Sequence, residues 1–169
     1  MPHRTRLSDT QELPPPRSPE DGGAAAATLL GFQAGEERWL TPLTDAGEIV
    51  STPPLARAPL TCPWFAGLAN VRGTLYAVSD FALFRGGEAT PRNSHARLLL
   101  IGARHGVNAA LLVSRLIGLR KPEALHANVP TVVAPVWAAQ SFRDDDGHDW
   151  RCLDVAGLLA DPRFLEIGA

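Results

Sequence analysis

Chemistry in this chain would have to come from titratable or metal-ligating side chains held at fixed spacings, and few are offered. The five histidines, His3, His95, His105, His126 and His148, are scattered, mostly through tail, linker and turn sequence where an imidazole is simply solvated. Cys62 and Cys152 stand too far apart for a CxxC redox motif or a clustered zinc set, and read as reduced structural thiols. Phosphate-loop, dinucleotide-fingerprint, HExxH and GxSxG patterns are all missing. The densest acidic stretch is Asp144-Asp145-Asp146-Gly147-His148-Asp149. With Gly147 in the glycine place of an EF-hand loop, Phe142 and Leu153 would fall where acidic ligands are required. The register fails for calcium, and an Asp-Gly turn at a solvated hairpin tip explains the same residues. No catalytic residue, metal or cofactor is therefore expected.

A different constellation is denser: Trp64-Phe65-Ala66-Gly67-Leu68-Ala69-Asn70-Val71-Arg72-Gly73, running into Thr74-Leu75-Tyr76-Ala77-Val78-Ser79-Asp80-Phe81. Its glycines suit a sharp entry into a strand, and Asp80 can accept from the free N–H groups of a helix beginning at Phe81. Neither requirement explains Asn70 or Arg72. The simplest account makes Asn70 a turn residue bonded to backbone and Arg72 a solubilising strand end.

These residues must be positioned by short elements, because 15 prolines and 15 glycines in 169 residues leave little room for long helices. Residues 1–27 are polar, charged and proline-bearing, and are expected to be a disordered tail ahead of a domain at 28–169. Leu29, Leu30 and Phe32, then Trp39, Leu40 and Leu43, predict a hairpin turning at Gly35-Glu36. Residues 44–50 suit a short helix or a strand end, 64–70 a turn or short helix, and 74–79 a strand covered on both faces. A capped helix at 81–84 stops at Gly86-Gly87. Strands follow at 97–103 and 107–113 about an Arg104-His105-Gly106 turn, then at 131–134, 136–142 and 148–153, with a last helix over 154–159. The class is mostly β, a barrel or pair of barrels with small peripheral helices.

Charge and hydropathy narrow the partners. Sixteen basic against 18 acidic residues give a net charge of -2, and 45% hydrophobic residues suffice for a core. No net positive field draws nucleic acid, and no apolar run is long enough to span a bilayer, so a cytoplasmic protein is expected.

The stretch Gly67-x-x-Asn70-Val71-Arg72-Gly73, followed by an apolar strand and Asp80, resembles the signature of CheW-type chemotaxis coupling proteins. Ala69-Asn70-Val71-Arg72-Gly73 after Trp64 is most similar to the PilI-type members that serve twitching motility. The likeness extends back through Gly31-Phe32 and Glu48-Ile49, and forward through Leu111-Leu112-Val113, Leu116-Ile117-Gly118-Leu119-Arg120, Trp150 to Leu153, and Asp161-Pro162-Arg163-Phe164-Leu165. It implies two small five-stranded, SH3-like β-barrels around a shared apolar core. It also implies a non-catalytic adaptor between the cytoplasmic tip of a methyl-accepting chemoreceptor and the regulatory domain of a CheA-type histidine kinase, at the inner face of the membrane. Other CheW-like domains are further expected partners.

By the same resemblance Glu48 and Arg72 lie close together and fix the loop of Asn70, Val71 and Gly73 as a protein interface. Ser114 and Arg115 belong to the interface too, while Gly67 and Asp80 are structural. Three positions depart from the family's pattern. Ala77-Val78-Ser79 replaces a proline and an aliphatic residue ahead of Asp80. Ser114 and Arg115 stand where acidic residues are usual, and Ala46 is smaller than the expected aliphatic residue. Charge placement at a rim acts on partner choice. The competing class, a small-barrel ligand or oligonucleotide binder, needs a basic groove interleaved with aromatics. Arg92, Arg97 and Arg104 form the densest basic run and include none.

Overall fold

The computed structural model describes residues 28–169; the tail expected over residues 1–27 lies outside them. β1 (Leu29–Ala34) and β2 (Glu37–Pro42) form the expected hairpin, with Gly35 at φ +60° in its turn. β3 (Ala46–Ser51), β4 (Phe65–Val71), β5 (Thr74–Asp80), β6 (Arg97–Ile101), β7 (Ala109–Val113), β8 (Arg115–Arg120), β9 (Leu125–Asn128), β10 (Ser141–Asp144) and β11 (Asp149–Cys152) follow. Three short helices are α1 (Phe81–Phe84), α2 (Val155–Ala160) and α3 (Pro162–Leu165).

The strands make two sheets. One runs β8-β1-β2-β11-β10-β9, six strands where five were expected, and the other β3-β6-β7-β5-β4. The outer strands of the first, β8 and β9, are joined by only residues 121–124, so the sheet must curl to bring its ends together. Between β3 and β4 the proline-rich segment closes the second sheet, because Ala56 exchanges both backbone hydrogen bonds with Leu68, at 2.9 and 2.8 Å.

Alternation along the strands then sorts the core. Leu99, Ile101, Leu111 and Val113 face one way and pack with Leu30, Phe32 and Trp39 of the first sheet. Leu98, Leu100, Ala110 and Leu112 face the other way and fill the second barrel with Ala69 and Val78. The middle strands of the second sheet thus serve two cores, which is why they are apolar on both faces. Aromatic rings bind the shared core: Trp39 meets Phe81 edge-on at 4.8 Å and Trp64 meets Phe84 at 5.0 Å. Truncating a ring such as Trp39 to alanine would cost about 3–5 kcal/mol. Arg85, just past α1, lies over Trp39 and Trp137 and donates twice to Glu37 of β2, at 3.2 Å each, so the helix end is stapled to the opposite barrel.

The first barrel is filled differently. Trp150 is fully buried against Gly31, where an added Cβ would stand 3.0 Å from the indole, and the guanidinium groups of Arg38 and Arg120 lie over the ring. Its Nε1–H donates to Asp144 at 2.9 Å. Asp144 also accepts from the backbone N–H groups of Asp146 and His148 and contacts the His148 ring, and its side chain is only 12% exposed. The hairpin is therefore present, but this carboxylate is a core partner rather than a solvated tip.

Several expectations fail for identifiable reasons. Residues 64–70 form most of strand β4 instead of a turn or helix, because β5 supplies a partner from Phe65 to Val71 and a bulge takes up Ala66 before Gly67. The apolar run 131–134 has no strand neighbour; Val132 and Val133 are exposed there. Residues 136–142 divide into a 3-10 turn over Val136–Ala138 and the start of β10. Strand β5 is buried only toward its C-terminal end, with Leu75 56% exposed. Pro162, expected beyond the last helix, opens a further one, α3.

Two outcomes follow. Gly67 has φ +128°, and a Cβ there would sit 2.4 Å from the Ala56 carbonyl oxygen, whereas Gly106, at φ +67°, has open space. Gly67→Ala should cost about 2–3 kcal/mol in urea unfolding and Gly106→Ala about 1 kcal/mol; equal losses would contradict the closure at Ala56. Burial of Asp144 raises its pKa, but the bonds from Trp150 and from the backbone and ring of His148 outweigh that and leave it at about 2, below the ordinary 3.8. The stability it adds is present above the ordinary value and is lost as pH falls through the folded one. The stability gap between wild type and Asp144→Asn should accordingly be constant near neutrality and close on acidification between pH 3.8 and about 2; a gap independent of pH would show that the carboxylate's charge is not used.

Candidate functional site

Strands β4 and β5 meet in a two-residue turn that determines the whole site. Val71 pairs with Thr74, leaving Arg72 and Gly73 at φ 50° and 85°, the signs of a type I′ hairpin turn. Asn70 tightens it, its Oδ1 accepting from the Gly73 N–H at 2.8 Å. Asparagine here is thus the turn residue that its chemistry predicts. Arginine is not, since the left-handed region is strained for most residues with a Cβ, glycine lacking one and asparagine offsetting the cost by local hydrogen bonding.

What Arg72 gains is Glu48, on β3 at the far edge of the same sheet. One guanidinium nitrogen donates to Glu48 Oε1 at 2.8 Å and the other to Oε2, a bidentate pair. The two side chains are 70% and 42% exposed. Hydrogen bonding from Arg72 holds the Glu48 carboxyl below its usual range, and that bond in turn raises the Arg72 pKa. An exposed pair contributes little to stability. Its effect is geometric: it ties the β4–β5 tip to β3, the opposite edge strand of the same sheet, and leaves both charges exposed to solvent. Leu68 and Leu75 are partly exposed on that hairpin, adding apolar area beside the charges.

Ser114 and Arg115 stand elsewhere. Glu48 lies level with Leu100 of β6 and so with Ala110 of β7, and Ser114 is two strands across and four residues further on, about 16 Å away at 3.3 Å per residue and 4.8 Å per strand. Ser114 is also bonded to the first barrel: its Oγ accepts from the Gly35 N–H at 2.9 Å and its N–H donates to the Gln33 carbonyl. Arg115 Nε donates to Gln33 Oε1 at 2.7 Å. Together they clamp the β1–β2 hairpin. Glu48, Asn70, Val71, Arg72 and Gly73 therefore form one surface, and Ser114 and Arg115, bonded to the first barrel, a second.

The remaining two residues hold the frame. Gly67 lets the Ala56 backbone approach β4, as described above. Asp80 caps α1 through Leu83 N–H at 3.3 Å, and it also accepts from the N–H and hydroxyl of Thr90, at 2.8 and 2.7 Å. Sequence reasoning found the cap but not the clamp on Thr90, because a loop contact ten residues away has no local signature. Asp144, Asp146 and His148 bring ligand atoms within 4.8 Å of one another. Asp144 is already committed to Trp150 and the turn, so that group explains itself as a hairpin cap. Among the described residues no helix is long and apolar enough to cross a membrane.

Comparison with known proteins places this geometry. The chain is 31% identical over 91 residues to Protein PilI of Pseudomonas aeruginosa, a match covering 54% of this chain and 51% of that one; it thus spans about half the length of that relative. The crystal structure of the scaffolding protein TtCheW from Thermoanaerobacter tengcongensis superposes with a TM-score of 0.64 at 18% identity, covering 77% of this chain and 90% of that chain, which establishes the shared mostly-β fold. Residues 28–163 match the CheW-like domain, and the chain therefore belongs to the CheW-like domain family.

Proposed function

We propose that the protein is a non-catalytic adaptor that couples the cytoplasmic tip of a methyl-accepting chemoreceptor to the regulatory domain of a CheA-type histidine kinase. It works in the cytoplasm, at the inner face of the membrane, in a pilus-linked chemosensory pathway. Family membership and the likeness to Protein PilI support the setting. The observation that carries the reading is the bidentate Glu48–Arg72 pair on a strained hairpin tip, an arrangement that adds little stability and presents a fixed surface. A coupling protein must meet two partners at once. The Ser114–Arg115 clamp, bonded to Gln33 and Gly35 of the other barrel, offers a separate second face.

The role of each residue follows from its contacts. Glu48 orients Arg72; Asn70 and Gly73 fix the turn; Val71 and the neighbouring exposed leucines supply apolar area that a partner can cover. Arg115, held by Gln33, leaves positive charge on a rim where it selects partners by sign. Arg72→Glu places two carboxylates face to face and should lower co-purification of kinase and receptor with the adaptor by about tenfold or more. Adding Glu48→Arg reverses both charges and should restore part of the loss, with the melting temperature of all three proteins nearly equal. Unchanged co-purification in Arg72→Glu would sink the assignment.

A further inference from the structure

Two non-glycine residues among those described have positive φ, and both are exposed: Arg72 at 50° and Leu60 at 55°. Leu60 is the odder of the two. A leucine gains nothing from solvent and pays the same left-handed cost, yet its side chain is 86% exposed. Its conformation is imposed from both sides. Pro59 and Pro63 restrict the segment, and the C-terminal residues pair with it: Ala169 donates to the Leu60 carbonyl at 2.9 Å, and Cys62 donates to the Ile167 carbonyl at 2.7 Å. A loop built only to close the second barrel would do so more stably with glycine or asparagine at position 60.

Leu60 stands on the rim of a groove of about 580 Å³ between the 55–63 segment and the 89–92 loop. Its apolar lining includes Leu55, Phe65 and Leu83. Two guanidinium groups, those of Arg57 and Arg92, line it as well, and neither has an ion-pair partner among the described residues. The one carboxylate in the lining, Asp80, is 4% exposed and bonded to Leu83 and Thr90 and forms no ion pair with either guanidinium, so two positive charges face one negative and the lining stays net positive. Both walls are pre-formed: Asp80 pins the 89–92 side and the Ala56–Leu68 bridge pins the other. An occupant meets a lining more polar than apolar, with a projecting leucine beside Leu55 and Leu83 and two guanidinium groups without ion-pair partners among the described residues.

We infer that this groove docks an extended acidic peptide segment carrying a large apolar side chain between its carboxylates, a binding site distinct from the Glu48–Arg72 surface. The apolar side chain packs on Leu60 with Leu55 and Leu83, and the flanking carboxylates meet Arg57 and Arg92. Nucleic acid would satisfy the charges but leave the leucine without a partner of its own kind.

The test uses the full chain and a fluorescein-labelled nonapeptide of aspartate and glutamate with one central phenylalanine, read by fluorescence anisotropy. Binding should weaken with added salt, fall about tenfold in an Arg57→Ser/Arg92→Ser double variant, and fall about fivefold in Leu60→Gly. Leu60→Gly relieves the backbone, so its melting temperature should not drop and unfolding cannot account for the loss. The Arg72→Glu variant should bind the peptide as wild type does, which keeps this site separable from the coupling surface. Equal affinity for a lysine-rich peptide, for a central-glycine peptide or for an oligothymidylate of matched charge would overturn the inference, as would full binding by either groove variant.

Discussion

A buried carboxylate sets the geometry on which both surfaces depend. Asp80 ends β5, opposite Leu112 of β7, at the point where the chain leaves the second barrel and enters the shared core through Phe81. At 4% exposure its charge is tolerable only because three donors surround it, and hydrogen bonds to charged groups are worth about 1.5–3 kcal/mol each. Those donors belong to the helix start and to the 89–92 loop, so one side chain fixes the direction of α1 and the wall of the groove. Its strand carries the Arg72 tip at the other end.

From that junction the barrels are coupled rather than merely adjacent. α1 delivers Phe81 and Phe84 between the sheets, and Arg85 reaches from its end to Glu37 and the faces of Trp39 and Trp137. Returning contacts come from Ser114 and Arg115, which hold the β1–β2 hairpin as the chain crosses from β7 to β8. Displacing one barrel would break aromatic packing and ion pairs together. The two proposed partner surfaces are therefore held at a fixed separation, which a rigid coupler requires.

The parts of this architecture that local chemistry controls were legible in the sequence. The Gly35-Glu36 hairpin, the Asp80 cap and the Asp-Gly turn before β11 each depend on residues within a few positions of one another. Strand β4 was misread because its own glycine and asparagine suggest a turn; only the partner strand β5 and the distant Ala56 make Phe65–Val71 extended. The opposite error occurred at Thr131–Ala134, whose β-branched residues find no neighbouring strand. β propensity expresses fit to a pleated surface, and without one it decides nothing. At the site, pairing of Glu48 with Arg72 rested on resemblance to a family, since nothing in the spacing of two residues 24 apart announces a contact. The bond between Ser114 and Gly35 has no sequence signal either, since the two lie 79 positions apart.

Backbone strain separates the residues that hold the fold from those that the fold holds. Gly67 and Gly73 occupy positive φ where a Cβ would cost energy, and they meet a structural requirement without steric strain. Arg72 occupies the same region and bears the left-handed strain, which an ion pair exposed to solvent does little to offset. The turn would thus be at least as stable with asparagine in that place. An arrangement with no net gain in the isolated protein is better explained by the surface it presents than by the stability it confers. The same arithmetic applies with more force to Leu60, which has no ion pair to set against its strain and exposes an apolar side chain besides. Both residues lie on connections of the second barrel whose ends are pinned by backbone hydrogen bonds, so the strain is maintained by the surrounding structure and the side chains stand ready before any partner arrives.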